Sequence, residues 1–294
     1  MGAATQVYLP AFLNELGNRS NNEDAIFPKQ PSKESSLFLV CDGVGGQAKG
    51  EIASALICEK FPEYFSQTRV ALEEMNFLAA GLQYVEAGLK AAIQEFPERE
   101  KMASTLTLCY LDRENNKALL AWVGDSRIYH IRDGEILFQT KDHSEVQQLL
   151  EMGEISEEEA ENHPRKNVIT RAVNGNNATR IDQKIITDIR KNDFFFLCTD
   201  GILENLNNAS IKEWFVATNS VKEIRLKIQE NAKGKTKDNY SMYLVKIETI
   251  GNGDGTIANQ TTKQLSKSKG HSAILLIGLL LTLCLLVYIL RHFV

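Results

Sequence analysis

Several features that would assign this sequence to a function class at once are missing from it. Basic residues do not predominate, since 33 Lys and Arg stand against 38 Asp and Glu, for a formal charge of −5. A nucleic-acid binder needs a basic face to neutralise phosphates, so that class is set aside. The five cysteines (Cys41, Cys58, Cys109, Cys198 and Cys284) show no Cys-x-x-Cys spacing. An odd number of them inside apolar segments reads as small buried hydrophobes in a reducing compartment. The N-terminal MGAATQVYLPAFLNELG lacks both a basic region and a long apolar core, which argues against a secretory signal. Gly2 fails as a myristoylation site because Gln6 stands where Ser or Thr is required. Without export, Asn-x-Ser/Thr triplets such as Asn18-Arg19-Ser20 and Asn239-Tyr240-Ser241 read as chance rather than glycosylation sites. No repeat of fixed period is visible.

What is present is an ordinary globular composition, 43% hydrophobic and 24% charged over 294 residues, too apolar for intrinsic disorder. The mean hydropathy of −0.23 conceals one charge-free run, Ala273 to Leu290, broken only by Thr282 and Tyr288. At 1.5 Å per residue it would span about 27 Å as a helix, close to the roughly 30 Å hydrocarbon core of a bilayer. Lys263, Lys267 and Lys269 precede the run while Arg291 and His292 follow it, so the bulk of the chain is expected on the cytoplasmic side of the cell membrane. Residues 251–270, rich in Gly, Asn, Ser, Thr and Lys, read as a flexible linker. The GNGDG stretch inside it lacks the remaining ligands of a calcium loop. The expected organisation is a globular domain over residues 1–250, a linker over 251–270, and a single-pass anchor with a short tail over 271–294.

Within the globular part, apolar runs predict strands at Leu37–Cys41, Ser104–Leu111, Lys117–Val123, Arg127–Ile131, Ile136–Gln139, Ile181–Thr187, Phe194–Cys198 and Tyr240–Ile247. Helical periodicity predicts Gly50–Phe61, Val70–Phe96, His143–Met152, Ile211–Thr218 and Val221–Ala232. Strands mostly adjacent in sequence, with helices in blocks, point to α+β layers rather than βαβ alternation. Three of the strands run straight into an aspartate: Asp42 after Leu37–Cys41, Asp125 after Leu119–Gly124, and Asp200 after Phe194–Thr199. Asn22-Glu23-Asp24 and Asp238-Asn239 flank further apolar segments. One such aspartate alone is usually a turn former. If the set converges, its like charges repel unless cations lie between them. No Lys or Arg cluster accompanies the acids, and no His or Cys stands at ligand spacing. An oxygen-only donor set selects hard Mg²⁺ or Mn²⁺ over zinc. Two such ions sharing a water form a hydrolytic centre suited to phosphate esters.

The ordered pieces Gly17-Asn-Arg19-Ser-Asn-Asn-Glu23-Asp24, Val40-Cys-Asp42-Gly43-Val-Gly45-Gly46, Ala103-Ser-Thr105, Val123-Gly-Asp125-Ser126-Arg127, Lys141-Asp142-His143-Ser144, Asn167-Val-Ile-Thr-Arg171, Cys198-Thr-Asp200-Gly201 and Asp238-Asn239-Tyr-Ser241 together carry a resemblance. Over roughly residues 5–248 the chain resembles the bacterial metal-dependent protein serine/threonine phosphatases of the PPM (PP2C) type. That resemblance implies a four-layer αββα sandwich with a dimetal centre at one end. It implies that Asp42 bridges both metals, that Gly43 offers its carbonyl, and that Asp200 and Asp238 ligate one ion. Glu23 is implied as a ligand of the other, Asp125 as a ligand of a weaker third. Asp24 is implied as the acid that holds metal-bound water, and Arg19 as the phosphate-binding arginine.

Some residues depart from the family or take no part in this scheme. Val44 stands where some eukaryotic relatives carry a histidine proposed as general acid, so leaving-group protonation falls to water. Ala103 replaces a common glycine. His143 is expected to cap a helix N-terminus rather than to catalyse. Arg165 lies in a segment resembling the mobile flap beside the site, and Phe194–Phe196 is expected as core strand. The implied reaction is direct attack of metal-activated water on phosphoserine or phosphothreonine, without a phosphoenzyme. Phosphorylated proteins near the membrane, such as a membrane-associated Ser/Thr kinase or its targets, are the expected partners. Two other classes stay open: an inactive phosphoprotein-binding relative, and a metallohydrolase of small phosphate esters.

Overall fold

Alternation within the apolar runs decides which layer each side chain joins. In the strand Leu37–Val44, Phe38 and Val40 enter one apolar cluster while Leu39 and Cys41 enter another, and all four are buried. In Phe194–Cys198, Phe195 and Leu197 share the first of those clusters, while Phe194, Phe196 and Cys198 join a third. A strand buried on both faces lies between two other layers, and period two assigns its residues to them alternately. The computed structural model describes residues 4–44, 49–68, 70, 72 and 76–251, which fall in one unit, Met1–Asp254.

The first sheet is built from β1 (Gln6–Val7), β2 (Ala11–Glu15), β8 (Arg127–Arg132), β9 (Glu135–Gln139), β12 (Phe194–Cys198) and β13 (Tyr240–Thr249), in the order β1-β13-β12-β8-β9 with β2 also on β13. The second contains β3 (Asp24–Phe27), β4 (Leu37–Val44), β5 (Ala103–Ser104), β6 (Leu106–Asp112), β7 (Lys117–Val123), β10 (Val173–Asn174) and β11 (Asp182–Ile186). Helices α1 (Gly50–Gln67) and α2 (Phe77–Glu95) cover the second sheet through Ile57, Phe61, Leu82 and Val85. Helices α5 (Asp200–Leu203), α6 (Asn208–Trp214) and α7 (Val221–Ala232) cover the first through Ile202, Ile211, Ile224 and Ile228. The result is the αββα sandwich that the resemblance implied. Short helices α3 (Glu145–Met152) and α4 (Glu157–Glu161) lie in the excursion between β9 and β10.

The eight expected strands are all present, while β1, β2, β3 and the two-residue strands β5 and β10 were not anticipated. Helix α1 continues past Pro62 to Gln67, although proline removes a helical N–H. Aromatic packing compensates there, because Tyr64 packs tilted and Phe65 edge-on against Phe77, and the Tyr64 hydroxyl donates to Phe77 O at 3.1 Å. The helix expected from Val70 begins at Phe77. Among the described residues no helix is long and apolar enough to cross a membrane. The expected anchor at 273–290, the linker from residue 252 and the Gly45-Gly46 pair lie outside the described residues. Cys41, Cys58, Cys109 and Cys198 are buried free thiols.

Candidate metal centre

Antiparallel register gathers the acids at one end of the sandwich. Asp24 opens β3 directly opposite Asp42 on β4. In the first sheet, Cys198 pairs with Met242 and with Arg127, so the end of β12, the start of β13 and the start of β8 lie side by side. That brings together Asp200 just after β12, Asp238 just before β13, and Asp125 in the turn before β8. Arg19 and Glu23 come from the loop between β2 and β3. Close backbone approach tightens the arrangement: a Cβ on Gly43 would lie 2.3 Å from the Gly50 carbonyl carbon, so only glycine lets β4 and the start of α1 meet. The Gly43 amide donates to Glu23 O at 3.0 Å, and Ser54 Oγ donates to the same oxygen at 2.6 Å.

The electrostatics are those of carboxylates with too few counter-ions. Burial, then repulsion from Asp24, Asp200, Asp125 and Asp238, pushes the Asp42 carboxyl well above the usual range. Burial, with Asp200 and Asp238 adding to it, raises Asp24 to about 7. The same cause, reinforced by Asp200 and Asp142, raises Asp125 to about 7. Asp200 is raised to about 6 by burial and by Asp238 and Glu204. Glu23 is also raised, mainly by burial and then by Glu51. Arg19 Nη2 donates to Asp238 Oδ2 at 2.6 Å, and Arg127 offsets part of the rise at Asp125. Asp24 Oδ1 and Asp200 Oδ1 are buried and meet no hydrogen-bond donor. Among the described residues no group of three or more His, Cys, Asp or Glu side chains already closes around a metal-sized space. Like charges held apart in this way, with orphaned carboxylate oxygens between them, fit hard divalent cations such as Mn²⁺ or Mg²⁺.

A set of buried hydroxyls and amides orients these acids, and its members were quoted in the motifs above without roles. Thr199 Oγ1 donates to Asp24 Oδ2 at 3.1 Å and accepts the Ser241 amide at 3.0 Å. Thr105 Oγ1 accepts the Asp42 amide at 2.9 Å and meets Ser126 Oγ at 2.7 Å, which links the Asp42 strand to the Asp125 turn. Ser104 Oγ donates to Asp42 O at 2.8 Å. Buried Ser and Thr within otherwise apolar strands are the sequence signal for such supports. His143 is not the expected helix cap. Ser144 caps α3 by accepting the Gln147 amide at 3.2 Å. The His143 ring instead accepts the Gly124 amide at Nδ1, 3.0 Å away, leaving Nε2 to donate to Asp182 Oδ2 at 3.1 Å. It thereby holds the turn that carries Asp125. Arg165 pairs with Glu145 at 2.7 Å on the exposed surface, and Phe194, Phe195 and Phe196 are core, as expected.

Comparison with known proteins agrees with this geometry. The family model described as protein phosphatase 2C matches residues 15–227, from the Arg19 loop through the strand before Asp200 and on into α7. The chain belongs to the protein phosphatase 2C family. Among curated relatives, the serine/threonine protein phosphatase PstP of Mycobacterium tuberculosis is 28% identical over 229 residues, covering 78% of this chain. Those residues span only 43% of PstP, less than half of its length. The crystal structure of the M. tuberculosis serine/threonine phosphatase PstP/Ppp matches with a TM-score of 0.72 at 29% identity, over 83% of this chain and 99% of that one. A further structure, the PstP catalytic domain in complex with two manganese ions, matches with a TM-score of 0.69 at 27% identity, over 83% and 99% of the two chains. The manganese ions in that relative are of the hard type that the oxygen-only acids of this protein phosphatase 2C member suit.

Proposed function

We propose that this chain is a protein phosphatase that hydrolyses phosphoserine and phosphothreonine with two Mn²⁺ or Mg²⁺ ions and no phosphoenzyme. The observation that carries the reading is the set of buried acids, raised in pKa and left with orphaned oxygens, in a member of a phosphatase family. Asp42, the Gly43 carbonyl, Asp200, Asp238 and Glu23 would hold the two ions, and Asp125 a further one. When bound, such ions supply charge neutralisation and water of lowered pKa. The Arg19 guanidinium, a planar donor fork at the mouth of the site, binds the phosphoryl oxygens. Asp24, fixed at Oδ2 by Thr199, keeps Oδ1 free to take a proton from the attacking water. Val44 offers no acid to the leaving group, so solvent supplies that proton.

Asp42→Ala or Asp200→Ala should abolish Mn²⁺-dependent phosphate release from phosphoserine and phosphothreonine peptides. Retained turnover in either variant would overturn the assignment. Rates on phosphopeptides compared with small phosphate esters separate a protein phosphatase from a small-ester hydrolase, and calorimetric Mn²⁺ titration separates both from an inactive phosphoprotein binder. We further propose that residues 273–290 anchor the domain in the cell membrane with the site on the cytoplasmic side. A twenty-residue coil at 251–270 reaches about 25 Å, so substrates would be membrane-proximal phosphoproteins, including a membrane-associated Ser/Thr kinase. The full chain should then sediment with membranes, and a chain ending at residue 250 should not.

A further inference from the structure

Asn239 is almost fully buried, and its side chain faces one segment with both ends. Its Oδ1 accepts the Glu23 amide at 2.9 Å, while its Nδ2 donates to Leu16 O at 2.7 Å and to Asn21 O at 2.9 Å. The Asn239 amide donates to Asp238 Oδ1 at 2.8 Å, so the residue also orients its acidic neighbour. The segment it grips holds Arg19 and Glu23. That segment lies directly on the 238–239 backbone, because Gly17, at φ +60°, would place a Cβ 1.9 Å from Asp238 O. Among these contacts, the three to Asn239 are the ones that enter both ends of the 16–23 loop. Only a primary amide supplies one acceptor and two donors in a plane at this reach: aspartate loses both donors, glutamine is one methylene longer, and alanine has neither group.

We propose that Asn239 is a positioning residue that fixes the Leu16–Glu23 loop against Asp238, and so sets where the Arg19 guanidinium meets the phosphoryl group. This rests on the role given to Arg19 under the proposed function. Asn239 touches no reacting atom, so its effect passes through Arg19 and Glu23. Loss of its side chain should weaken phosphate recognition more than the chemical step.

The test uses the full chain with saturating Mn²⁺ and a phosphothreonine peptide. Asn239→Ala should raise KM about tenfold, the scale expected when buried hydrogen bonds that orient a binding group are lost. The inhibition constant of inorganic phosphate should rise by a similar factor, with kcat changing less. Asn239→Asp, which keeps the acceptor for Glu23 but no donor for Leu16 or Asn21, should match the alanine variant. In an Arg19→Ala background, Asn239→Ala should add less than about twofold to KM, because the two substitutions remove the same interaction. Unchanged KM and phosphate inhibition alongside a lower Tm would overturn the proposal and leave a purely structural residue. Fully additive effects in the double variant would also overturn it. If the wild-type protein itself released no phosphate, the proposed function would fail instead. Hydrogen exchange would then still decide the clasp: Glu23 N–H should lose protection in Asn239→Ala while strand β13 keeps its own, and protection retained at Glu23 would refute it.

Discussion

The two ends of the sandwich each bury aspartate, and they treat it in opposite ways. At the end away from the acids, Asp193 is fully buried, yet it accepts from Arg132 Nε at 2.7 Å and Nη2 at 2.9 Å, from His130 Nε2 at 2.8 Å and from the Arg190 amide at 2.9 Å. Burial alone would raise its pKa, but Arg132 and His130 outweigh that and hold it below the usual range. At the other end, burial and mutual repulsion raise Asp24, Asp42, Asp125 and Asp200 together. Buried carboxylate is therefore no signature of function by itself. The accounting of partners separates a structural aspartate, complete within the protein, from a functional one that something else must complete.

Exchanging charge at the two ends should sharpen that contrast most. Asp42→Asn should lower phosphatase activity by about a thousandfold or more, as loss of a metal-holding group does, while the metal-free protein keeps or gains stability because a repulsive charge is gone. Asp193→Asn should do the reverse, costing about 1–3 kcal/mol of stability by weakening the charge-assisted bonds from Arg132 and His130, although Arg132 keeps Asp188, with activity tracking only the folded fraction. Chemical denaturation without metal and kinetics with it measure both, and equal destabilisation by the two substitutions would erase the distinction.

A smaller effect separates the ends by pH. For Asp24, Asp125 and Asp200 the folded pKa lies above the unfolded value, so their favourable contribution is complete below about pH 4 and is lost as pH rises through 6 to 7. For Asp193 the folded pKa is depressed, so its contribution is present above about pH 4 and is lost only below that. The Tm of metal-free protein should therefore fall between pH 5 and 8, and saturating Mn²⁺ should remove or reverse the decline. A metal-free Tm that rises across that window would contradict the reading of the acid cluster. The smallest change expected is in Ser126→Ala, which deletes the hydroxyl contact to Thr105 and should cost about 1 kcal/mol.

The same contrast explains what could be read from the sequence. Strands buried on both faces, such as Phe194–Cys198, announce themselves as unbroken apolar runs, and the acids that end them stand out against that background. Strands β1 and β3 have two and four residues, too few to show a period, and β3 begins with the buried charge of Asp24. Helix α4 is Glu-rich with no apolar stripe, and it rests on a capping box between Ser156 and Glu159. His143 was misplaced because an Asp-His-Ser run before a helix suggests a cap, whereas the ring's partner Gly124 is near only in space. Proximity in sequence marked the acids, but their supports (Thr199, Thr105 and Asn239) became visible only once distant strands met.

Strand β13 is the last of the described elements in sequence, yet it lies between β12 on one side and β1 and β2 on the other. Arg19 and Asp238 are 219 positions apart and meet only when this strand has been inserted. Arg19 therefore cannot reach Asp238 until β13 has been synthesised and has inserted into the sheet. Assembly of the acid cluster is thus a late event in the folding of this domain, because its last-made described strand takes an interior place in the sheet.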